Sequence, residues 1–171
     1  VDQGKQLTFS QINHICNKVA NFLRDRGVKK DDRVTLIGEN GLETIIIFFG
    51  VLKYGAIISP INVEESEENI HRIVDRVAPR FIIYDEELNF DLKKTSSSWI
   101  PFSQLDTKEP TEGSFFSLIK DYDSLFHTPL GNKDDVAEIV FTSGATEMPK
   151  GVAWSREGIF YMAEDTIDKL G

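Results

Sequence analysis

The segment Phe141-Thr142-Ser143-Gly144-Ala145-Thr146-Glu147-Met148-Pro149-Lys150-Gly151-Val152 concentrates the residue types that handle anions. An apolar run opens into small hydroxyl residues and Gly144, and a lysine follows between Pro149 and Gly151. In a tight glycine-containing turn the backbone N–H groups point into a concavity. Hydroxyls donate to phosphate oxygens, and an ammonium adds a mobile point charge. The spacing excludes two other loops. Val152, not Ser or Thr, lies beyond the Lys150-Gly151 pair, so this is not a Walker A loop, and Ser143 lacks the flanking glycines of a nucleophile elbow. The chain also has no G-x-G-x-x-G.

Other reactive side chains form no comparable pattern. His14, His71 and His127 fall in separate elements without metal-ligand spacing. The one cysteine, Cys16, excludes an intramolecular disulfide and a cysteine-cluster zinc site, and its place on an apolar helix face makes it a core thiol. The run Glu64-Glu65-Ser66-Glu67-Glu68 serves the start of the following helix, where carboxylates favour the macrodipole. Trp154, beside the loop, reads as a packing residue.

The elements that must carry the loop read as follows. Thr8-Phe9-Ser10-Gln11 is a capping box, with Leu7 and Ile12 placed as a hydrophobic staple. Ile12, Ile15, Cys16, Val19, Ala20 and Leu23 follow helical spacing, Asn13, Lys18, Asn21, Arg24 and Asp25 form the polar face, and Gly27 stops the helix. Arg33 to Ile37 reads as a buried strand. Asn40 is the expected N-cap of an almost wholly apolar helix from Leu42 to Tyr54, ended by Gly55. Ala56 to Ile61 is a second strand, Ser66 caps a third helix that exits at Pro79, and Phe81 to Tyr84 is a third strand. Val136 to Phe141 and Gly151 to Trp154 are strands flanking the loop, and Ser155 caps a last helix reaching about Leu170.

Near-continuous apolar strands alternating with helices predict an α/β fold with a mostly parallel sheet covered by helices. Three units follow: an α/β sheet unit with a leading helix over 1–88, an irregular aromatic-containing connection over 89–134, and strand, loop, strand and helix over 135–171. The middle unit carries Phe90, Trp99, Phe102, Phe115, Phe116, Tyr122 and Phe126. That is too much apolar surface for a solvated linker, so most of it is expected to pack, with a short element from Ser114 to Ile119.

The 171 residues are 40% hydrophobic and 27% charged, which is globular composition. Nineteen basic against 28 acidic side chains give a formal charge of −9, a poor match to nucleic acid or anionic lipid. The longest apolar stretch, Ile45 to Leu52, is far short of a membrane span and contains Gly50. A polar opening segment argues against a secretory signal, so a cytoplasmic location is expected, and a first residue other than Met suggests a chain cut from something longer.

Taken whole, the loop resembles the phosphate-binding loop of the adenylate-forming superfamily, an aromatic followed by T-S-G-T-T-G-x-P-K-G-V. Agreement falls at Phe141, Thr142, Ser143, Gly144, Thr146, Pro149, Lys150, Gly151 and Val152. Leu7-Thr8-Phe9 is similar to that family's L-T-Y, and Leu52-Lys53-Tyr54-Gly55-Ala56 through Pro60-Ile61-Asn62 to its L-K-A-G-A…P-x-N. The resemblance implies a two-step AMP-forming ligase. A carboxylic acid attacks the α-phosphate of ATP and expels pyrophosphate, and the acyl group then passes to the thiol of CoA or of a carrier protein's phosphopantetheine. By the same resemblance Thr142, Ser143, Gly144, Ala145, Thr146, Glu147, Lys150 and Gly151 line the nucleotide. Lys150 acts as the catalytic cation and Thr142 stands near Mg2+. Asn62 favours a CoA ligase over a carrier-loading adenylation domain, whose motif usually has Asp there.

Three departures carry weight. Ala145 replaces a threonine, and Ser155-Arg156 stands for the family's Ser-His. Glu147 replaces a glycine, which costs on the order of 1 kcal/mol where φ is positive and sets a carboxylate beside a triphosphate. Weakened nucleotide handling, or a non-catalytic interaction module of the same fold, is therefore an expectation of its own. The chain ends at Gly171, ahead of the family's later motifs, so it is expected to be inactive alone and, with apolar faces uncovered, to self-associate.

Overall fold

The computed structural model describes residues 6–88, 97–105, 112–128, 131–142 and 149–170. The elements are α1 (Phe9–Asp25), β1 (Arg33–Ile37), α2 (Leu42–Tyr54), β2 (Ile57–Ile61), α3 (Glu67–Val77), β3 (Phe81–Asp85), β4 (Ser98–Phe102), α4 (Phe115–Ile119), β5 (Val136–Thr142), β6 (Lys150–Ser155) and α5 (Arg156–Leu170). Among the described residues the six strands form one sheet in the order β4-β3-β1-β2-β5-β6. Neighbours are parallel, except that β5 and β6 pair antiparallel. The expected α/β architecture, a mostly parallel sheet covered by helices, is what the chain builds.

The alternation of side chains along the strands divides the core between the two faces. Val34, Leu36, Ile58, Phe81 and Ile83 bury against α1, α2 and α4. Ile37, Ile61 and Ile82 bury against Ile70, Ile73, Val74 and Val77 of α3. Helix α2 can approach α1 closely because Gly50 has no side chain. A Cβ there would lie 2.5 Å from Val19 Cβ and 2.6 Å from its Cγ1.

Local signals set most element ends. The Thr8 N–H donates to Gln11 Oε1 at 2.8 Å, and the Gln11 N–H donates to Thr8 Oγ1 at 3.2 Å, so the capping box closes. Leu7 and Ile12 both pack on the cluster beneath α1. Ser66 Oγ accepts from the Asn69 N–H at 3.3 Å at the start of α3, and Ser155 Oγ from the Gly158 N–H at 3.1 Å at the start of α5. The cap of α2 differs from expectation. Gly41, not Asn40, is the N-cap, because the Thr44 hydroxyl reaches back to accept from the Gly41 N–H at 2.9 Å.

Two further differences come from tertiary contacts. Asn21, expected on the polar face of α1, is buried, with its amide nitrogen donating to the carbonyls of Asp123 at 2.8 Å and Leu125 at 2.9 Å. Asn17, also buried, donates to the Ser124 carbonyl at 2.6 Å. The 120–126 stretch therefore lies over α1 and turns a solvated face into an inside one. The second difference is β4, a strand within the segment read as an irregular connection. Its Pro101 fits because β4 is an edge strand, where one missing N–H costs no ladder bond. The aromatic residues of this segment do pack. Phe102, Phe115 and Phe116 are buried, and Phe22 meets Phe115 and Tyr122 edge-on at 5.5 and 5.9 Å. Phe90 lies outside the described residues.

Two buried titratable groups stand out. Cys16 is a core thiol, its Sγ 3.5 Å from the Ile46 carbonyl, and burial pushes its pKa up to about 11. Glu138, on β5, shares a face with Ile58, its partner across the sheet, and burial raises its carboxyl above the ordinary value. No described helix is long and apolar enough to cross a membrane. Exposed apolar side chains remain on α2 (Ile45, Phe49) and α5 (Phe160, Tyr161, Met162, Ile167).

Two outcomes follow for stability. Gly50→Ala gains about 1 kcal/mol of helix propensity but overpacks Val19 at a cost of about 1–3 kcal/mol. Urea unfolding should therefore show a net loss, and a gain would contradict the packing described. Glu138 binds its proton more tightly folded than unfolded, so its contribution to stability falls as pH rises from the ordinary carboxyl range through the folded pKa. Glu138→Gln should match the parent near pH ~4 and exceed it near pH ~7. A pH-independent difference would refute the assignment.

Candidate functional site

Strand β5 runs parallel to β2, with Glu138 beside Ile58, so Thr142 ends at the carboxyl edge of the sheet, the edge to which β1 and β2 also run. In open parallel sheets this is where ligands find a crevice, because loops leaving the strand ends splay apart there. From Thr142 the chain enters the loop and returns along β6.

The register brings two of the expected site residues together. Thr142 pairs with Lys150 across the hairpin, and its hydroxyl lies 3.5 Å from the Lys150 carbonyl oxygen. Both residues are exposed, so a hydroxyl and an ammonium stand at the two roots of the loop. One pair further in, Phe141 faces Gly151. A Cβ on Gly151 would lie 3.1 Å from Phe141 Cζ and 3.4 Å from Ile139 Cγ2. Glycine there leaves room for the phenyl ring, and Phe141 packs in turn on the apolar cluster beneath α3. The remaining expected residues, Ser143, Gly144, Ala145, Thr146 and Glu147, lie outside the described residues.

The sheet end of the hairpin is fixed by a separate set of bonds. The Arg156 N–H donates to the Asp135 carbonyl and the Glu157 N–H to the Lys133 carbonyl, both at 3.0 Å. The Asp135 carboxylate takes Lys30 Nζ at 2.8 Å and the Asn132 N–H at 2.9 Å. These two donors hold its pKa below the ordinary value. Ser59 Oγ donates to the Ile139 carbonyl at 3.0 Å, tying β2 to β5 at mid-strand. Trp154 lies under the first turn of α5, its Cε3 being 3.3 Å from where a Cβ of Gly158 would sit. The hairpin thus projects from a fixed base toward the carboxyl edge.

Sequence reasoning missed one contact at the loop. Arg76, near the end of α3, donates from Nη1 to the carbonyl oxygen of Pro149 at 3.5 Å. Nothing local marks Arg76, which is 73 residues away in the chain, as a neighbour of the loop. Conversely Asn62, read as informative about the thiol acceptor, makes a turn. Its side-chain oxygen accepts from the Glu64 N–H at 3.0 Å, a bond that aspartate would make equally well. His71 lies 3.5 Å from Glu67 on α3, and no cluster of three or more metal-ligating side chains occurs among the described residues.

Comparison with known proteins agrees with this geometry. Over 162 residues the chain is 32% identical to crotonobetaine/carnitine–CoA ligase of Proteus mirabilis, covering 88% of this chain and 31% of that enzyme. Over 159 residues it is 30% identical to bacitracin synthase 3 of Bacillus licheniformis, covering 93% of this chain and 2% of that protein. The chain therefore spans about a third of the length of the first relative and a small part of the second. Its fold matches the ATP-bound crystal structure of MatB from Rhodopseudomonas palustris with a TM-score of 0.82 at 20% identity, over 96% of this chain and 33% of that one. The family model for AMP-binding enzymes matches residues 1–170. Sequence pattern, sheet and relatives converge, and the chain belongs to the AMP-binding enzyme family.

Proposed function

We propose that residues 1–171 are the polyphosphate-binding portion of an ATP-dependent acid–thiol ligase. A carboxylate oxygen of a small organic acid bonds to the α-phosphorus of ATP, and the bond to the bridging oxygen breaks, releasing pyrophosphate. A thiol then attacks the acyl carbon of the mixed anhydride, loses its proton and displaces AMP. The pairing of Thr142 with Lys150 at the carboxyl edge carries this reading, because it sets a donor and a cation on either side of the point where the loop leaves the sheet.

In this reading Lys150 neutralises the charge that builds on the departing pyrophosphate, a stabilisation worth most where water is excluded. Ser143, Gly144, Ala145, Thr146, Glu147 and Gly151 complete the lining of the phosphates. Thr142 offers an exposed hydroxyl oxygen, which fits a hard cation such as Mg2+. Bound there, Mg2+ would screen the phosphate charges and take its other oxygens from the nucleotide and water. The acceptor is CoA in the reading we favour. The 30% identity to bacitracin synthase 3 supports the second reading, a domain that loads a carrier protein.

The same proposal covers two properties of the 171-residue chain. It holds nucleotide without turning it over, since carboxylate-dependent pyrophosphate exchange needs more charge-stabilising groups than one loop supplies. It also self-associates through the exposed apolar residues of α2 and α5, which sedimentation would show and a clean monomer would contradict.

Calorimetric titration of ATP with Mg2+ into the chain tests the site. Lys150→Ala should weaken binding about tenfold or more, the worth of one charge-assisted contact to phosphate. An unchanged affinity would refute the role of Lys150. Glu147→Gly should bind more tightly than the parent, because in this reading it removes a carboxylate from the lining of the phosphates; equal affinities would refute weakened nucleotide handling through Glu147.

A further inference from the structure

The hairpin that carries the loop is thinly supported where it matters most. Strand β6 is the edge of the sheet, and the residues from Lys150 to Ala153 are exposed along it. The paired residues of β2 and β5 are Ile58 and Glu138, far back from the loop, and the Ser59 bond reaches only to Ile139. Beyond that point two contacts on the loop roots involve α3. Phe141, on the outgoing strand, packs on the cluster that Ile70, Ile73, Val74 and Val77 of α3 form with Ile37, Ile61 and Ile82 of the sheet. Pro149, on the returning limb, is buried and receives Arg76 Nη1 on its carbonyl oxygen.

From these two contacts we infer that Arg76 is a positioning residue for Lys150, acting through the Pro149 carbonyl. Proline has no N–H and a fixed φ, so ψ is the main soft torsion by which residue 149 can swing the chain that follows. That torsion turns the carbonyl, and a donor on the carbonyl oxygen restrains it. Helix α3 is a firm base for such a donor, because four apolar residues along its length are buried. The planar guanidinium, always charged, strengthens a bond that at 3.5 Å is long for a neutral donor. The Lys150 ammonium then starts from a restrained backbone, and the contact needs no direct approach of Arg76 to nucleotide.

This inference rests on the proposed polyphosphate site, and its test separates the two. Amide hydrogen exchange is measured on the 171-residue chain and on Arg76→Ala and Arg76→Lys, followed by titration of each with ATP and Mg2+. Arg76→Ala should speed exchange of the amides from Lys150 to Val152 by about three- to tenfold, leaving those of β1 and the body of α3 unchanged, and weaken nucleotide binding by a similar factor. Arg76→Lys, which keeps one charged donor, should recover most of both. Unchanged exchange at Lys150 overturns the inference, and so does a rise spread evenly over α3 and β1, which would be a plain loss of stability. Weaker binding with unchanged exchange also overturns it, since Arg76 would then touch the phosphates directly. If the parent chain binds no nucleotide, the proposed function fails while the exchange result still decides the tether.

Discussion

The antiparallel pairing of β5 with β6 at the edge of an otherwise parallel sheet is the constraint on which the site depends. A parallel crossover would carry the chain a dozen or more residues away before it returned. The hairpin instead brings it back beside itself, so Thr142 and Lys150 stand one strand spacing apart, roughly 5 Å between backbones. Phe141 lying over the bare Cα of Gly151 fixes that register, because a one-residue slip would turn the ring to the other face. On the proposed reading, a loop that converges several donors on one polyphosphate gains from having both roots held this way.

Support for the hairpin is divided by chemistry. At its base, the Arg156 and Glu157 N–H groups bond to the carbonyls of Asp135 and Lys133 and hold it to the first turn of α5, while the Lys30–Asp135 pair holds it to the turn before β1. At mid-strand one hydroxyl, that of Ser59, holds it to β2. Near the loop the hold passes to packing, with Phe141 on the α3 cluster, and to the guanidinium of Arg76 on Pro149. Along the described part of the hairpin the supports thus pass from backbone bonds at the base to packing and a single guanidinium at the loop roots.

What could be read in the sequence divides along the range of the interactions. The Thr8–Gln11 box and the caps at Ser66 and Ser155 were legible because each is decided within three residues. The parallel sheet was legible because its central strands are apolar on both faces. Asn21 was not, since its partners lie about a hundred residues away and its own helix gives it a polar position. Strand β4 was hidden by Pro101, a residue that excludes a central strand but not an edge one. The cap of α2 went to Gly41 rather than Asn40 because a hydroxyl at Thr44 replaced the side-chain cap. At the proposed site, the loop pattern singled out Thr142 and Lys150, but their pairing and the approach of Arg76 belong to the tertiary fold.

The central claim is that the open end of this hairpin holds the phosphates of a nucleotide. Amide NMR of the isotopically labelled chain, titrated with ATP and Mg2+ and separately with adenosine, tests it most directly. The account predicts that ATP shifts the amides of Thr142, Lys150 and Gly151 most strongly and that adenosine leaves them in place. Shifts centred elsewhere, or the same shifts with adenosine as with ATP, would contradict it.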